Sequence, residues 1–216
     1  MNRPADILLI LVLMANLFAV GSSRLRTCIR AVAFQGAVLA CVPLALLSGP
    51  GLAERVRAAG LAVLCVTLRG VVFPWLLTRA QREANVRREV EPFVGFGASI
   101  GVALLTLVVS LRLAQRLPSA PGGGSFAVAV ALSTLLVGVF IIVSRRLALN
   151  QVLGYLVMDN GIYLLGVAMV EHVPLVVELG VLTDAFVAVF VMSIATWHIS
   201  REFDHTEVDR LSRLKG

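Results

Sequence analysis

Residues 126–143 read FAVAVALSTLLVGVFIIV, eighteen positions without a single charged side chain. A helix of about twenty apolar residues crosses the hydrocarbon core of a bilayer, since each residue adds about 1.5 Å. Similar runs fill most of the chain, which is 58% hydrophobic and only 15% charged. This composition predicts an all-α integral membrane bundle of about seven transmembrane helices. The predicted spans are 5–21, 29–47, 59–77, 93–111, 126–143, 149–170 and 173–199.

The basic residues fall in short clusters between these apolar runs. Alternate connections place five basic residues on one side of the membrane and thirteen on the other, and Arg69 lies inside a span. Since cytoplasmic loops carry the excess of Lys and Arg, the N-terminus is predicted outside and the C-terminus in the cytoplasm. Such clusters are typical of topology signals, so the net charge of +6 does not indicate nucleic-acid binding. The first run is interpreted as a retained helix, with a cleaved signal peptide as the alternative.

One linker divides the chain. Residues 117–125 read LPSAPGGGS, which cannot continue a helix. The sequence therefore predicts a four-helix membrane sub-bundle at 1–116, the linker at 117–125, a three-helix sub-bundle at 126–199 and a polar cytoplasmic tail at 200–216. Glycines in the sixth and fourth spans predict close helix contacts. They are Gly154, Gly161 and Gly166 in the sixth and Gly95, Gly97 and Gly101 in the fourth.

The most informative residues are polar side chains inside predicted spans. A charge at the bilayer centre costs about 2.5–3.5 kcal/mol on insertion scales, so such side chains face the bundle interior. The charged candidates are Asp159, Glu178, Asp184 and Arg69, and the neutral ones are Asn160 and Gln35.

Two interpretations of these residues stay open. In the first, the carboxylates form a proton relay, with Glu178 and Asp184 about 9 Å apart along one helix as successive stations. In the second, Asp159 or Asp184 pairs with Arg69 and fixes helix packing. Three acids in two adjacent spans, together with a mid-membrane arginine, favour the relay.

Other polar clusters are less specific. Arg87, Arg88, Glu89 and Glu91 lie in a predicted cytoplasmic loop, which is either simply solvated or docks a soluble partner. Three cysteines occur, and none belongs to a CxxC pair. We therefore expect no metal or cofactor in this chain.

Several stretches resemble the hydrogenase-4 component E family. They are NQVLGYLVMDNGIYLLG (150–166), PLVVELGVLTDAFVAVFVMSIATWHI (174–199), VRREVEP (86–92), FQG (34–36) and FDHTEVDRLSRLKG (203–216). The last three spans also resemble the 4L-type subunit of complex I and the C subunit of Mrp-type antiporters. Asp184 stands where the 4L-type third-helix acid falls. Asp159 lies three residues after the second-helix position, on the same helix face, and component E members carry Glu at its place.

The resemblance implies a noncatalytic membrane subunit of a group 4 [NiFe]-hydrogenase or formate hydrogenlyase-like complex in a bacterial or archaeal plasma membrane. The nickel–iron site and iron–sulfur clusters are then expected in soluble partner subunits, beside antiporter-like and complex I-like membrane subunits. Asp159 and Asp184 would be central proton stations, Glu178 an outer group, and Arg69 a charge that tunes them. The alternatives are a purely structural scaffold and a subunit of an Mrp-type cation/proton antiporter.

Overall fold

The computed structural model describes residues 3–46, 52–83, 93–117 and 124–169. Every regular element within these ranges is a helix, which confirms the predicted all-α class for this part of the chain. The elements are α1 (Arg3–Gly21), α2 (Leu25–Leu46), α3 (Leu52–Thr67), a π-helical turn (Leu68–Val72), α4 (Phe73–Glu83), α5 (Phe96–Ala114), α6 (Gly124–Ser144) and α7 (Ala148–Met169).

Five described segments are long and apolar enough to cross a membrane. They are Leu25–Pro43, Ala62–Arg82, Phe96–Ala114, Gly124–Ser144 and Leu149–Met169, and the shorter apolar helix Ala5–Gly21 accompanies them. One of these segments runs without interruption from α3 through the π turn into α4. Six of the seven predicted spans thus fall on described helices. The seventh, 173–199, lies outside the described residues, so the count of seven and the orientation stay predictions.

Helix α6 lies at the centre of the described bundle. It packs against α7, α5 and α1, and its residues Val128, Ala129, Val130 and Ala131 are almost completely buried. A helix that is apolar on every side is expected in such a central position. Gly124, which opens α6, has a φ of 68°, a left-handed conformation that glycine adopts without steric cost.

Glycines bring α6 and α7 into direct backbone contact. A Cβ atom on Gly138 would collide with the backbone of Met158, and one on Gly161 would collide with the backbone of Leu135. At Gly154 it would come within 2.8 Å of the backbone nitrogen of Ile142. The close contact predicted for the sixth span is therefore present at Gly154 and Gly161. Close packing of this kind stabilises helix pairs in a bilayer, where the hydrophobic effect does not drive association.

The glycines of α5 behave differently. No atom of another described helix lies within 4 Å of a Cβ built on Gly95, Gly97 or Gly101. Most of α5 faces outward, with only 17% of its apolar window buried. The close contact expected for these glycines from the sequence is thus not made with any described helix.

A buried arginine joins three helix ends. The side chain of Arg145, just after α6, is only 3% exposed. Its Nη2 donates a hydrogen bond of 2.6 Å to the carbonyl oxygen of Val20 in the last turn of α1. Its guanidinium also lies 4.5 Å from the ring centre of Phe96 at the start of α5. Arg145 therefore satisfies a terminal carbonyl of α1 and ties α1, α5 and α6 together.

Candidate functional site

Helix α7 carries an acid at its midpoint. Asp159 lies eleven residues after Ala148 in a helix of 22 residues, which corresponds to about 16 Å along the axis. Asn160 follows directly, and Tyr163 stands four residues after Asp159 on the same face. The side chain of Asp159 is only 7% exposed. The described fold thus holds a buried carboxyl group at the middle of a helix that is long and apolar enough to cross a membrane.

The π turn holds the opposing charge. In this turn the N–H of Phe73 bonds to the carbonyl oxygen of Leu68, five residues earlier. Pro74 follows, and it has no N–H to continue the helical ladder. A π turn contains one residue more than an α-helical turn, and the extra residue changes the direction in which nearby side chains point. Arg69 lies inside the turn and is 5% exposed.

Arg69 contacts three side chains of α7. Its Nη2 donates to Oδ2 of Asp159 at 3.0 Å, and its Nη1 donates to Oδ1 of Asn160. The guanidinium carbon also lies 4.7 Å from the centre of the Tyr163 ring. The two opposite charges compensate each other, and the amide and the ring stabilise the guanidinium further. This arrangement explains how two charged groups remain within an apolar bundle.

A glycine on α2 makes room for the arginine. A Cβ atom on Gly36 would lie 2.7 Å from the Cβ of Arg69. Contacts this short are not possible between real side chains, and the root of a side chain cannot swing away as its tip can. Gly36 therefore sets the distance between α2 and the π turn, and with it the position of the guanidinium opposite α7.

A cleft leads to the ion pair. It lies between α2, α4 and α7, with Arg69, Asp159 and Asn160 among its lining residues. Ala33, Phe73, Leu77 and Leu156 belong to its apolar walls. The unfilled space is about 280 Å³, including the open mouth.

A second cluster of buried polar side chains joins α1, α2 and α6. Nε2 of Gln35 donates to Oδ1 of Asn16 at 2.9 Å, and Nδ2 of Asn16 donates to Oγ1 of Thr134 at 2.8 Å. The Thr134 hydroxyl in turn donates to the carbonyl oxygen of Val130 at 2.8 Å. Oε1 of Gln35 is buried without a hydrogen-bond partner among the described residues. These neutral groups stabilise helix packing, since each would be costly to leave unpaired.

The structure brings together part of the predicted site. Arg69, Asp159 and Asn160 meet in one cluster, while Gln35 belongs to the separate amide group. Glu178 and Asp184 lie outside the described residues, as do Arg87, Arg88, Glu89 and Glu91. The pairing of Asp159 with Arg69, one of the two arrangements that the sequence left open, is present.

Sequence reasoning missed Tyr163, Gly36, Asn16 and Thr134. Tyr163 was detectable, because a position four residues after an inward-facing acid shares its face. Asn16 and Thr134 were detectable as neutral polar residues within apolar spans. For Gly36 no local signal distinguishes it from other helix glycines, since its role depends on which helix lies opposite.

The chemistry available to this cluster is proton binding. Asp159 can take up a proton and become neutral, whereas Arg69 keeps its charge in any protein environment. Within the described ranges, no group of three or more His, Cys, Asp or Glu side chains is placed to hold a metal ion.

Comparisons with known proteins agree with the description of this chain as a membrane protein. Residues 126–216 match the family described as NADH-ubiquinone/plastoquinone oxidoreductase chain 4L. The chain is a multi-pass membrane protein related to subunits of complex I-like assemblies. It is 35% identical over 150 residues to hydrogenase-4 component E of Escherichia coli strain K12, covering 68% of each chain. It thus belongs to the hydrogenase-4 component E family.

A second relative spans more of the chain. The uncharacterized protein Rv0085 of Mycobacterium tuberculosis is 34% identical over 207 residues, which is 94% of this chain and 91% of the relative. The resemblance noted from the sequence is therefore confirmed at the level of the family. No solved structure matches the chain.

Proposed function

We infer that this chain is a noncatalytic membrane-arm subunit of a hydrogenase-4-like complex in a bacterial or archaeal plasma membrane, and that Asp159 takes part in proton translocation. Family membership supports the first part, because component E is named for a hydrogenase and the 4L family for an oxidoreductase. The 3.0 Å contact between Arg69 and Asp159 at mid-membrane depth supports the second part. Ionisable groups in that position are rare outside ion pathways and structural pairs.

The proposed step is the exchange of one proton at Asp159. When the carboxylate binds a proton, the ion pair loses its negative member, while Arg69 keeps Asn160 and the Tyr163 ring as neighbours. Redox chemistry in partner subunits would change the distance between α7 and the π turn. The contact between Arg69 and Asp159 would change with it, and so would the proton affinity of Asp159. Asp184 and Glu178 are proposed as the next stations, as the sequence suggested.

One observation favours a second candidate function, that of a scaffold. Arg69 contacts Asp159, Asn160 and Tyr163 at once, and three such contacts also suit an element that only fixes α7 against the π turn. In that case the charges serve packing alone, and no proton passes.

A double variant separates the two functions. Asp159→Asn alone leaves the buried charge of Arg69 without its carboxylate partner. The complex is then expected to assemble poorly, since a buried ion that has lost its partner is strongly destabilising. The variant Arg69→Met/Asp159→Asn removes both charges together. The purified complex carrying it is assayed in vesicles for hydrogen evolution with an artificial electron donor and for proton movement. Arg82→Met, at an exposed arginine of α4, is the matched control.

We expect the double variant to evolve hydrogen and to move no protons, while the control does both. A double variant that assembles and still moves protons at the full rate would refute the proton role and leave the scaffold. The same vesicles would report on Asp184→Asn, which is expected to lose proton movement selectively.

The partners are proposed on the same basis. Soluble subunits with the nickel–iron site and iron–sulfur clusters would be anchored on the predicted cytoplasmic face, where Arg87, Arg88, Glu89 and Glu91 are docking candidates. Purification of the complex through a tag on this chain, followed by identification of its subunits, tests this directly. Recovery of Mrp-type antiporter subunits without hydrogenase subunits would instead favour the antiporter alternative.

A further inference from the structure

The cleft beside the ion pair opens sideways, between α2 and α4. Among its described lining residues, only Ala33 and Pro74 are partly exposed, and the others are buried. An exposed aromatic side chain directly follows each of them: Phe34 on α2 is 51% exposed, and Trp75 on α4 is 57% exposed. The opening is therefore flanked by Phe34 and Trp75 on the outer surface of the bundle. In a membrane this surface faces the acyl chains of the lipids.

Two exposed arginines of α2 share the face of Ala33. Arg26 and Arg30 lie seven and three residues before Ala33, within about 60° of it around the helix axis. Arg26 is also ten residues, or about 15 Å, from Gly36, which lies beside Arg69. The hydrocarbon core is about 30 Å thick, so Arg26 lies near its edge when Arg69 lies at its middle, and the long side chain of Arg30 reaches the same level. Helix α2 contains no Asp or Glu, and neither arginine forms an ion pair within the described ranges.

Helix α4 has the same order of side chains on the other side of the opening. Trp75 comes first, and Arg79 follows four residues later, with its guanidinium carbon 5.9 Å from the centre of the Trp75 ring. Arg79 is ten residues after Arg69, so it lies at about the same depth as Arg26. Tryptophan and arginine side chains are typical of the level at which acyl chains meet headgroups. Helices α2 and α4, which pack against each other, thus present basic groups at one depth and aromatic groups at a greater depth.

Arg26, Arg30, Phe34, Trp75 and Arg79 together form a surface that we call the α2–α4 groove. We propose that an anionic phospholipid binds there, with its headgroup on the three arginines and an acyl chain across the opening between the two aromatic side chains. Guanidinium groups donate paired hydrogen bonds to phosphate oxygens, and a headgroup with a net negative charge compensates the basic groups. The acyl chain covers an opening whose rim is apolar. This inference is independent of the proposed function, because it concerns lipid binding and not proton movement.

Fluorescence of Trp75 provides the test. Trp197, the other tryptophan of the chain, is replaced by phenylalanine, so that the purified full-length protein carries a single tryptophan, at the groove. The protein is reconstituted in vesicles of mixed phosphatidylglycerol and phosphatidylcholine, in which one lipid or the other carries bromine atoms on its acyl chains. Bromine quenches tryptophan fluorescence only at short range. The ratio of the two quenching curves therefore measures the preference of the groove for the anionic lipid.

The variants change α2 while the reporter stays on α4. Arg26→Gln/Arg30→Gln removes two charges from the groove. Arg24→Gln/Arg146→Gln is the matched control, because it removes two exposed charges from the same end of the bundle but outside the groove. Both variants lower the net charge of the chain equally, so a difference between them reports on the groove and not on the overall charge.

We expect phosphatidylglycerol to be preferred at Trp75 by at least about fivefold, the effect of one basic side chain near an anionic surface. Arg26→Gln/Arg30→Gln should lower this preference to less than about twofold, while the matched control keeps it. Arg26→Lys/Arg30→Lys retains both charges and should retain part of the preference, which separates lost binding from misfolding.

A second reporter tests whether the preference is local. Trp75→Phe/Leu104→Trp, again without Trp197, moves the single tryptophan to the outward face of α5, where Leu104 is 47% exposed. This reporter is expected to be quenched equally by the two brominated lipids, because the groove lies on other helices.

Three results would overturn the proposal. They are equal quenching by the two lipids at Trp75, an equal loss of preference in Arg24→Gln/Arg146→Gln, and an equal preference at the α5 reporter. Weak quenching of Trp75 by both lipids would mean that another part of the chain, or another protein chain, covers the opening. The second and third results would mean that the basic end of the bundle attracts anionic lipids without a defined site.

Discussion

The contact between Arg69 and Asp159 predicts an asymmetric double-mutant cycle. Asp159→Asn leaves a guanidinium that cannot lose its proton and that has lost the carboxylate 3.0 Å away. Its cost to the free energy of unfolding is expected to be about 3–5 kcal/mol, the range for a buried charge that has lost its partner. Arg69→Met leaves a carboxyl that can become neutral by binding a proton, so it is expected to cost only about 1–3 kcal/mol.

The double variant contains no buried charge at this place. Its cost is expected to be lower than that of Asp159→Asn alone, by about 2 kcal/mol or more, because the stranded charge is gone. The four proteins are compared by equilibrium unfolding in mixed micelles titrated with sodium dodecyl sulfate. Single costs that add within about 0.5 kcal/mol in the double variant would show that the two side chains do not interact, and would refute the geometry described above.

The remaining predictions concern packing and use thermal unfolding of the purified protein. Gly36→Ala should lower the free energy of unfolding by about 1–3 kcal/mol, because the new methyl group meets the Cβ of Arg69 at 2.7 Å. Gly101→Ala, in open space, should have no such effect. Equal effects of the two changes would contradict the close approach of Gly36 to Arg69. Arg145→Met should cost about 1.5–3 kcal/mol through the lost hydrogen bond to α1, and an unchanged midpoint would argue against its burial. Asn16→Leu should cost about 1–3 kcal/mol, and Gln35→Leu added to it should recover part of that loss.

The helical class and six spans were predictable because their signal is local. Each span is a run of apolar residues long enough to cross a bilayer, and no knowledge of neighbouring helices is needed to find it. Asp159 and Arg69 were predictable for a related reason. A charge within such a run is so unfavourable in lipid that it must be directed into the protein, whichever helix lies opposite.

Which acid pairs with Arg69 was left open between Asp159 and Asp184, since the choice depends on which helices touch. That Arg69 meets Asp159 follows from α2, α4 and α7 lying side by side, and this is a long-range property of the bundle. Pro74 indicated a disturbed helix, but not that the disturbance takes the form of a π turn. Arg145 was counted only as a topology charge, because nothing local shows that the end of α6 is covered by α1 and α5.

The two members of the ion pair come from different parts of the chain. The match to the 4L family covers residues 126–216 and so contains Asp159 but not Arg69. The acid therefore comes from the 4L-like part, while its cation, and the glycine that gives the cation room, come from the helices before the linker. Without those helices the carboxylate of Asp159 would lose the guanidinium that compensates its charge, and loss of that partner in an apolar surrounding favours the protonated, neutral form. The helices before the linker thus favour the charged form of Asp159, and the proton relay proposed for that residue involves both sides of the linker.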